Sequence, residues 1–174
     1  LVGSEMCIRD RPLPCGQTQA APSSIARMIT ALDVGPGDRV LEIGTGSGYA
    51  TALIARMALS VTTLERYRAL AEAAKKRLAR PSLGTIAVWH ADGTHGYPEE
   101  APYDRIILHG SIESEPASLI DQLTPGGSVV AILRVGQVSE ITRWRRAVTG
   151  RVLEIDHFGR LDLPKIIPGL SESL

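Results

Sequence analysis

The chain has 174 residues, enough for one domain with a substantial hydrophobic core. Its hydrophobic content is 44%, its charged content is 22% and its formal net charge is zero at pH 7, so no overall field attracts nucleic acid or an anionic membrane. No apolar run approaches the roughly 20 residues that cross a bilayer. We therefore expect neither a nucleic-acid partner nor a membrane partner.

The first eleven residues, LVGSEMCIRDR, differ from the rest of the chain. They show no helical or strand period and resemble a translated sequencing-adapter read-through, so we exclude residues 1–11 from the fold prediction. The native N-terminus is then expected to be missing; the alternative is a native disordered tail. Cys7 and Cys15 form no metal-binding or disulfide pattern, which predicts no metal site and a reducing, cytoplasmic location.

Helices and strands alternate after this segment. Residues 12–21 form a loop rich in Pro and Gly. Pro22 opens a helix that ends at the breaker cluster 33–37, and its apolar positions are Ile25, Met28, Ile29 and Leu32. A strand at 39–43 precedes a second amphipathic helix, whose apolar positions are Ala50, Leu53, Ile54 and Met57.

The alternation continues to residue 133 and then changes. We predict strands at 61–65, 85–89, 102–108 and 128–133, and helices at 67–80 and 116–123. Residues 139–148 and 151–158 indicate two strands joined at Thr149-Gly150, and residues 163–174 indicate a surface tail. The pattern predicts one α/β domain over residues 12–170. Its sheet is doubly wound, Rossmann-like and mostly parallel, with an antiparallel C-terminal hairpin.

Residues 143–146 of the predicted hairpin carry three arginines and a tryptophan. They could form a nucleic-acid patch. We favour a solvated strand edge with one packed tryptophan.

The turn after the first strand is the main candidate for a ligand site. Gly44, Gly46 and Gly48 follow Glu42 in the pattern E-x-G-x-G-x-G, and glycines permit a sharp turn and close approach of a ligand to the backbone. Tyr49 stands where a dinucleotide fingerprint has its last glycine, and no Gly-Lys-Ser/Thr follows, so neither that fingerprint nor a phosphate P-loop is predicted. The acids around the loop suit a ligand with a cationic centre and free ribose hydroxyls. The alternative is a tight turn without a ligand.

Two further acids extend this predicted site. Glu65 ends the second strand about 20 residues beyond the glycines, where an acid can accept both ribose hydroxyls. Asp92 follows the third strand and could accept a hydrogen bond from an exocyclic amine such as adenine N6, whereas we interpret His90 as a strand-end or core residue. The candidate cofactor-binding residues are Glu42, Gly44, Thr45, Gly46, Ser47, Gly48, Tyr49, Glu65, Arg66, Asp92 and Gly93.

The glycine segment resembles motif I of the class I methyltransferases that use S-adenosylmethionine. Residues 36–49 (PGDRVLEIGTGSGY) are similar to motif I of the protein-L-isoaspartate O-methyltransferases. Other parts of that family are matched by segments 14–18, 91–93, 96–98, 101–107 and 119–127. The resemblance implies a class I methyltransferase fold with S-adenosylmethionine as cofactor. It also implies methyl transfer to the α-carboxyl of L-isoaspartyl residues in damaged proteins, which is a protein-repair reaction. We expect isoaspartyl proteins or peptides as substrates, and a monomeric enzyme.

The predicted acceptor side departs from the family at one catalytic position. The resemblance implies that Thr18, Gln19 and Ala20 close over the methyl donor and the acceptor, and Ala20 stands where the family has a serine held to be important for catalysis. An ionised carboxylate needs no general base, so the lost hydroxyl is expected to weaken the reaction by about 1.5–3 kcal/mol without abolishing it. The hydroxyl of Ser23, Ser24 or Ser111 could take its place.

A second departure is the run 109–115 after the fourth strand, which is bulkier and more acidic than the family's small residues. In a doubly wound sheet this run faces the substrate side of the crevice. An acidic lip is expected to disfavour an anionic acceptor through like-charge repulsion.

Three alternatives to isoaspartyl methylation remain at this point. A related methyltransferase could act on another acceptor, which Ala20 and the run 109–115 favour. A non-catalytic S-adenosylmethionine-binding homologue is the second alternative. A nicotinamide dehydrogenase is the third, disfavoured by Tyr49.

Overall fold

The structure, a computed structural model, describes residues 11–149 and 153–171. Apart from Arg11, the predicted adapter-like segment lies outside these residues, as does Gly150 of the predicted hairpin turn. The helices are α1 (Pro22–Leu32), α2 (Tyr49–Ile54), α3 (Arg68–Leu78) and α4 (Ala117–Ile120). The strands are β1 (Arg39–Ile43), β2 (Ser60–Glu65), β3 (Thr85–His90), β4 (Tyr103–Ile112), β5 (Leu123–Val135), β6 (Val138–Arg146) and β7 (Leu153–Arg160). Before α1, the two-residue strands Arg11–Pro12 and Thr18–Gln19 pair antiparallel.

The seven main strands form one sheet in the order β3-β2-β1-β4-β5-β6-β7. The first five strands of this order run parallel, and β6 and β7 run antiparallel to their neighbours. The chain order reverses between β1 and β4, so their carboxyl ends form the crevice in which doubly wound folds bind ligands. The predicted α/β fold with an antiparallel hairpin is confirmed.

Side-chain alternation along the strands produces a core on each face of the sheet. Val40 of β1 and Ile107 of β4 pack with the apolar sides of α1 and α2. Leu41 and Ile106, one position away, pack with α4 on the other face. Since both faces of the parallel strands are covered, these strands consist of nearly continuous apolar residues.

Several predicted elements differ from the structure. The helix predicted at 116–123 spans only Ala117–Ile120, and the strand predicted at 128–133 already begins at Leu123. The second helix ends at Ile54, and Met57 is 38% exposed, because the chain tightens after Ile54 and returns to the sheet within six residues to begin β2. The C-terminal segment is not a free surface tail. Leu163 is buried, and parallel bridges join Lys165 to Ser111 and Ser171 to Tyr67.

The C-terminal hairpin confirms the packed tryptophan predicted in residues 143–146, but the predicted strand edge is wrong, because β6 pairs with both β5 and β7. Trp144 is 2% exposed and packs in the core. Arg143 donates to Asp156 at 2.6 Å, and Arg145 donates to Glu154 at 2.9 Å. In the part of the chain that the structure describes, no helix has the length and apolarity needed to cross a membrane.

Candidate functional site

A cavity lies at the carboxyl ends of β1, β2, β3 and β4 and contains most of the predicted site. It is lined by the candidates Thr18, Gln19, Ala20, Gly44, Thr45, Gly46, Ser47, Tyr49, Glu65, Arg66, Asp92 and Gly93. The remaining candidates, Glu42 and Gly48, lie beside it and are not part of its wall. The fold therefore brings together candidate residues from four separate segments of the chain.

The glycine loop turns sharply where β1 meets α2. Gly44, Gly46 and Gly48 have φ values of 94°, 54° and 83°, a region that residues with a Cβ rarely adopt. The Gly44 N–H donates to the Leu64 carbonyl at 2.9 Å, which holds the start of the loop against β2. The loop consequently presents its backbone to the cavity.

Glu65 is buried at the end of β2, and its side chain faces the glycine loop. One carboxylate oxygen accepts the Gly46 N–H at 2.9 Å, and the other accepts the Tyr67 N–H at 3.0 Å. A carboxylate oxygen has two lone pairs, so each oxygen can still accept one more hydrogen bond. Two vicinal ribose hydroxyls fit this capacity. The residues present therefore fit the ribose of S-adenosylmethionine.

Asp92 accepts more hydrogen bonds from the protein than Glu65 does. One oxygen accepts the Thr94 N–H at 2.9 Å and the Thr94 hydroxyl at 2.5 Å, while the other accepts the Gly169 N–H at 2.6 Å. Although burial acts to raise it, these hydrogen bonds hold the pKa of Asp92 below its ordinary value of 3.8. An adenine amine would share the second oxygen with Gly169 or replace it.

The N-terminal loop closes one side of the cavity. The Ser47 hydroxyl donates to the Gln19 side chain, and the Gln17 amide donates to the Tyr67 hydroxyl at 3.0 Å. These contacts join the loop to the glycine turn and to the residues after β2. Thr18, Gln19 and Ala20 are thereby held beside the glycine loop, in the wall of the cavity.

None of the three serines considered as substitutes for the hydroxyl missing at Ala20 reaches the cavity wall. Ser23, Ser24 and Ser111 are absent from the residues that line the cavity, and Ser111 is 1% exposed within β4. The polar side chain that β4 does contribute to the wall is His109.

The acidic run beyond β4 does not present a free carboxylate to the cavity at Glu113. Lys165 Nζ lies 2.8 Å from Glu113 Oε2, and the hydrogen bond from Lys165 lowers the pKa of Glu113. Lys165 lines the cavity, whereas Glu113 does not. The expected repulsion of an anionic acceptor is therefore offset by a cation at the rim.

The C-terminal segment, residues 163–171, crosses the mouth of the cavity, and sequence reasoning missed its role. The Ser111 N–H donates to the Pro164 carbonyl at 2.8 Å, and the Ile166 N–H donates to the Ser111 carbonyl at 3.0 Å. Arg66 donates to the Gly169 carbonyl at 2.8 Å. Apolar wall residues from this segment are Leu163, Ile166 and Ile167. The apolar residues on either side of Lys165 could have indicated a packed segment, but the prolines and serines of the segment favoured a surface tail.

The chain is similar to known proteins over most of its length. Residues 5–157 match the family model described as protein-L-isoaspartate(D-aspartate) O-methyltransferase. The chain is 39% identical to a protein-L-isoaspartate O-methyltransferase of Ruegeria sp. (strain TM1040), over 97% of this chain and 79% of the relative. It is 38% identical to that of Paracoccus denitrificans (strain Pd 1222), over 93% of this chain and 74% of the relative.

The fold also agrees with solved structures. A protein-L-isoaspartate O-methyltransferase from Plasmodium falciparum, in complex with S-adenosyl-L-homocysteine, superposes with a TM-score of 0.78 at 20% identity, over 92% of this chain and 80% of that one. At that identity the superposition establishes the shared fold. With the family match across most of the chain, the chain belongs to the protein-L-isoaspartate(D-aspartate) O-methyltransferase family.

Proposed function

We propose that this protein transfers a methyl group from S-adenosylmethionine to the α-carboxyl of L-isoaspartyl residues in damaged proteins. The observation that carries the proposal is that one cavity joins the glycine loop and Glu65 to the loop containing Ala20. One side of this cavity suits a nucleoside with a cationic centre, and the other side is open to an acceptor. A repair role and a cytoplasmic location are part of the proposal, as is a monomeric state.

On the cofactor side, the cavity wall consists of acidic side chains and of the exposed backbone of the glycine loop. Glu65 would accept the two ribose hydroxyls, and Asp92 would lie at the adenine end. Gly44 and Gly46 leave room for the amino-acid portion against the backbone, since neither carries a Cβ. S-adenosylmethionine, the methyl donor of this family, supplies a positively charged sulfonium methyl group when bound.

On the acceptor side, the chain has to position an anion and exclude water. The isoaspartyl carboxylate is already ionised at neutral pH, so the residues need only align and desolvate it. Lys165 at the rim would attract the carboxylate, and the apolar residues of segment 163–171 would keep water from the reacting atoms. Ala20 supplies no hydroxyl for alignment, which predicts a slower reaction than a serine would support.

The test is methyl transfer from radiolabelled S-adenosylmethionine to a synthetic isoaspartyl peptide, with the normal aspartyl peptide as control. We expect base-labile label on the isoaspartyl peptide alone. Ala20→Ser is expected to raise kcat/KM by roughly tenfold to a hundredfold, the value of one hydrogen bond to a charged group.

Calorimetry with S-adenosylhomocysteine, run in parallel, separates the possible failures. Binding of S-adenosylhomocysteine without label on the peptide would reject the isoaspartyl acceptor and leave the cofactor assignment standing. A folded protein that does not bind it would reject the assignment of the glycine loop.

A further inference from the structure

Glu42 and His109 form an acid–histidine pair beside the cavity. Glu42 is completely buried; one of its oxygens lies 2.9 Å from His109 Nε2, and the other accepts the Thr51 hydroxyl at 2.5 Å. The His109 side chain is 12% exposed and forms part of the cavity wall. The acid is therefore sealed from the cavity, and the histidine lies between the acid and the cavity.

The pair determines which nitrogen of His109 can accept a proton. A carboxylate only accepts hydrogen bonds, so Nε2 carries the hydrogen and, in the neutral ring, Nδ1 has a free lone pair. No residue in the described ranges, 11–149 and 153–171, bonds to Nδ1. Among the same residues the only fully buried and unpaired side-chain nitrogen or oxygen is Arg134 Nε. His109 Nδ1 is thus unpaired and is not fully buried.

The isoaspartyl reaction has no use for this arrangement. A carboxylate acceptor is ionised before it binds and has no proton to lose. A histidine whose second nitrogen is oriented by a buried acid is the arrangement of a general base, which removes a proton from an acceptor as it reacts. The site is consequently equipped for an acceptor of a second kind.

We propose that the Glu42–His109 pair is a general base with which this site methylates phenolic hydroxyl groups. The acidity of a phenol, with a pKa of about 10, is close enough to that of histidine for proton transfer at neutral pH. The aliphatic part of the wall suits an aromatic ring; it includes Leu13, Ile25, Leu163, Ile166 and Ile167. This activity uses the cofactor site of the proposed function but not its acceptor.

In the proposed reaction the phenol oxygen forms a bond to the methyl carbon. The carbon–sulfur bond breaks, and its electron pair passes to sulfur, leaving S-adenosylhomocysteine and the methyl ether. The phenol proton passes to His109 Nδ1 and then to solvent. Glu42 holds the ring and stabilises the imidazolium that forms.

The test, run at pH 8, compares 4-methylphenol with 4-nitrophenol, which is a much stronger acid, is largely ionised at that pH and needs little help from a base. We expect the wild-type protein to methylate both. His109→Gln should lower the rate with 4-methylphenol by at least a hundredfold, and the rate with 4-nitrophenol by a much smaller factor. If His109→Gln still binds S-adenosylhomocysteine but loses rate equally with the two phenols, His109 is not the general base. N-acetyltyrosine amide and a tyrosine peptide form a second arm, which distinguishes a protein side chain from a small phenol as the source of the hydroxyl.

A measurement that does not depend on turnover keeps the proposal testable if the variant misfolds. In the wild-type protein bound to S-adenosylhomocysteine, nitrogen NMR of labelled histidine should show the His109 proton on Nε2 and none on Nδ1 at the assay pH. A proton on Nδ1 would overturn the proposal, as would a wild-type protein that binds S-adenosylhomocysteine but methylates no phenol. Label on the isoaspartyl peptide is scored separately, so the two proposals fail independently.

Discussion

Glu65 accepts a backbone N–H on each of its carboxylate oxygens and is 4% exposed. Its remaining lone pairs are the ones available to a ribose. Glu65→Gln keeps the size of the side chain but removes the charge and half of the acceptor capacity. We expect affinity for S-adenosylhomocysteine, measured by calorimetry, to fall roughly 10- to 100-fold. Glu72→Gln, on the exposed side of α3, is the matched control and should bind as the wild type does.

In the proposed function, the attraction of an anionic acceptor depends on Lys165, which lines the cavity. Its partner Glu113 is equally exposed, so the pair is screened by solvent and each charge contributes modestly. Lys165→Met should raise KM for the isoaspartyl peptide about two- to fivefold. It should not lower kcat, because the acceptor loses its charge as the ester forms and the cation therefore stabilises mainly the bound substrate.

The rim charges can be tested in both directions. Glu113→Gln should lower KM by a similar factor, because Lys165 is then free to pair with the acceptor. Lys76→Met, an exposed position on α3, should leave KM unchanged. If the Lys165 and Lys76 variants behave alike, the rim cation has no part in acceptor recognition.

At the scale of elements, segment 163–171 connects β4, the residues after β2 and the loop after β3. Its contact with Asp92 depends on pH, because the Asp92 carboxylate accepts the Gly169 N–H. The pKa of Asp92 is lowered in the folded protein. The contact therefore stabilises the fold at all pH values above about 3.8 and is lost as the pH falls through the folded-state pKa.

The titration can be observed at the Gly169 amide by nitrogen–proton NMR. We expect its chemical shift to remain constant from pH 8 to pH 5 and to change with a midpoint below 3.8. Asp92→Asn should abolish this transition. A midpoint at or above 3.8 would contradict the contact that holds the segment over the cavity.

At the scale of the whole molecule, stability depends on the two apolar layers that cover the sheet. Trp144 lies in the layer on the α4 side and is 2% exposed. Trp144→Ala should reduce the free energy of unfolding by about 3–5 kcal/mol, because a large cavity is left in the core. The corresponding fall in Tm is roughly 6–20 °C by calorimetry. Trp89→Ala is the control, since Trp89 is 42% exposed, and a similar loss there would argue against the described core.

The chain-local features were predictable from the sequence. The period of apolar residues in α1, the bounds of β1 and the glycine turn depend on neighbours within a few positions, and so does the helix–strand alternation that predicts a doubly wound sheet. The resemblance of residues 36–49 to motif I rests on the same local spacing. Since the carboxyl ends of parallel strands meet at one edge, the convergence of Gly44, Glu65 and Asp92 also followed from the predicted fold.

Contacts between distant residues at the cavity could be found only from the tertiary structure. Glu42 and His109 are 67 positions apart and meet because β4 pairs directly with β1. Asp92 and Gly169 are 77 positions apart and meet because the C-terminal segment returns across the sheet edge. No periodicity encodes such pairs, since they depend on strand order and on the path of a loop with few regular signals. The fold and the glycine turn were therefore predictable from local patterns, whereas the side chains that meet around the cavity depended on strand order and on the path of the C-terminal segment.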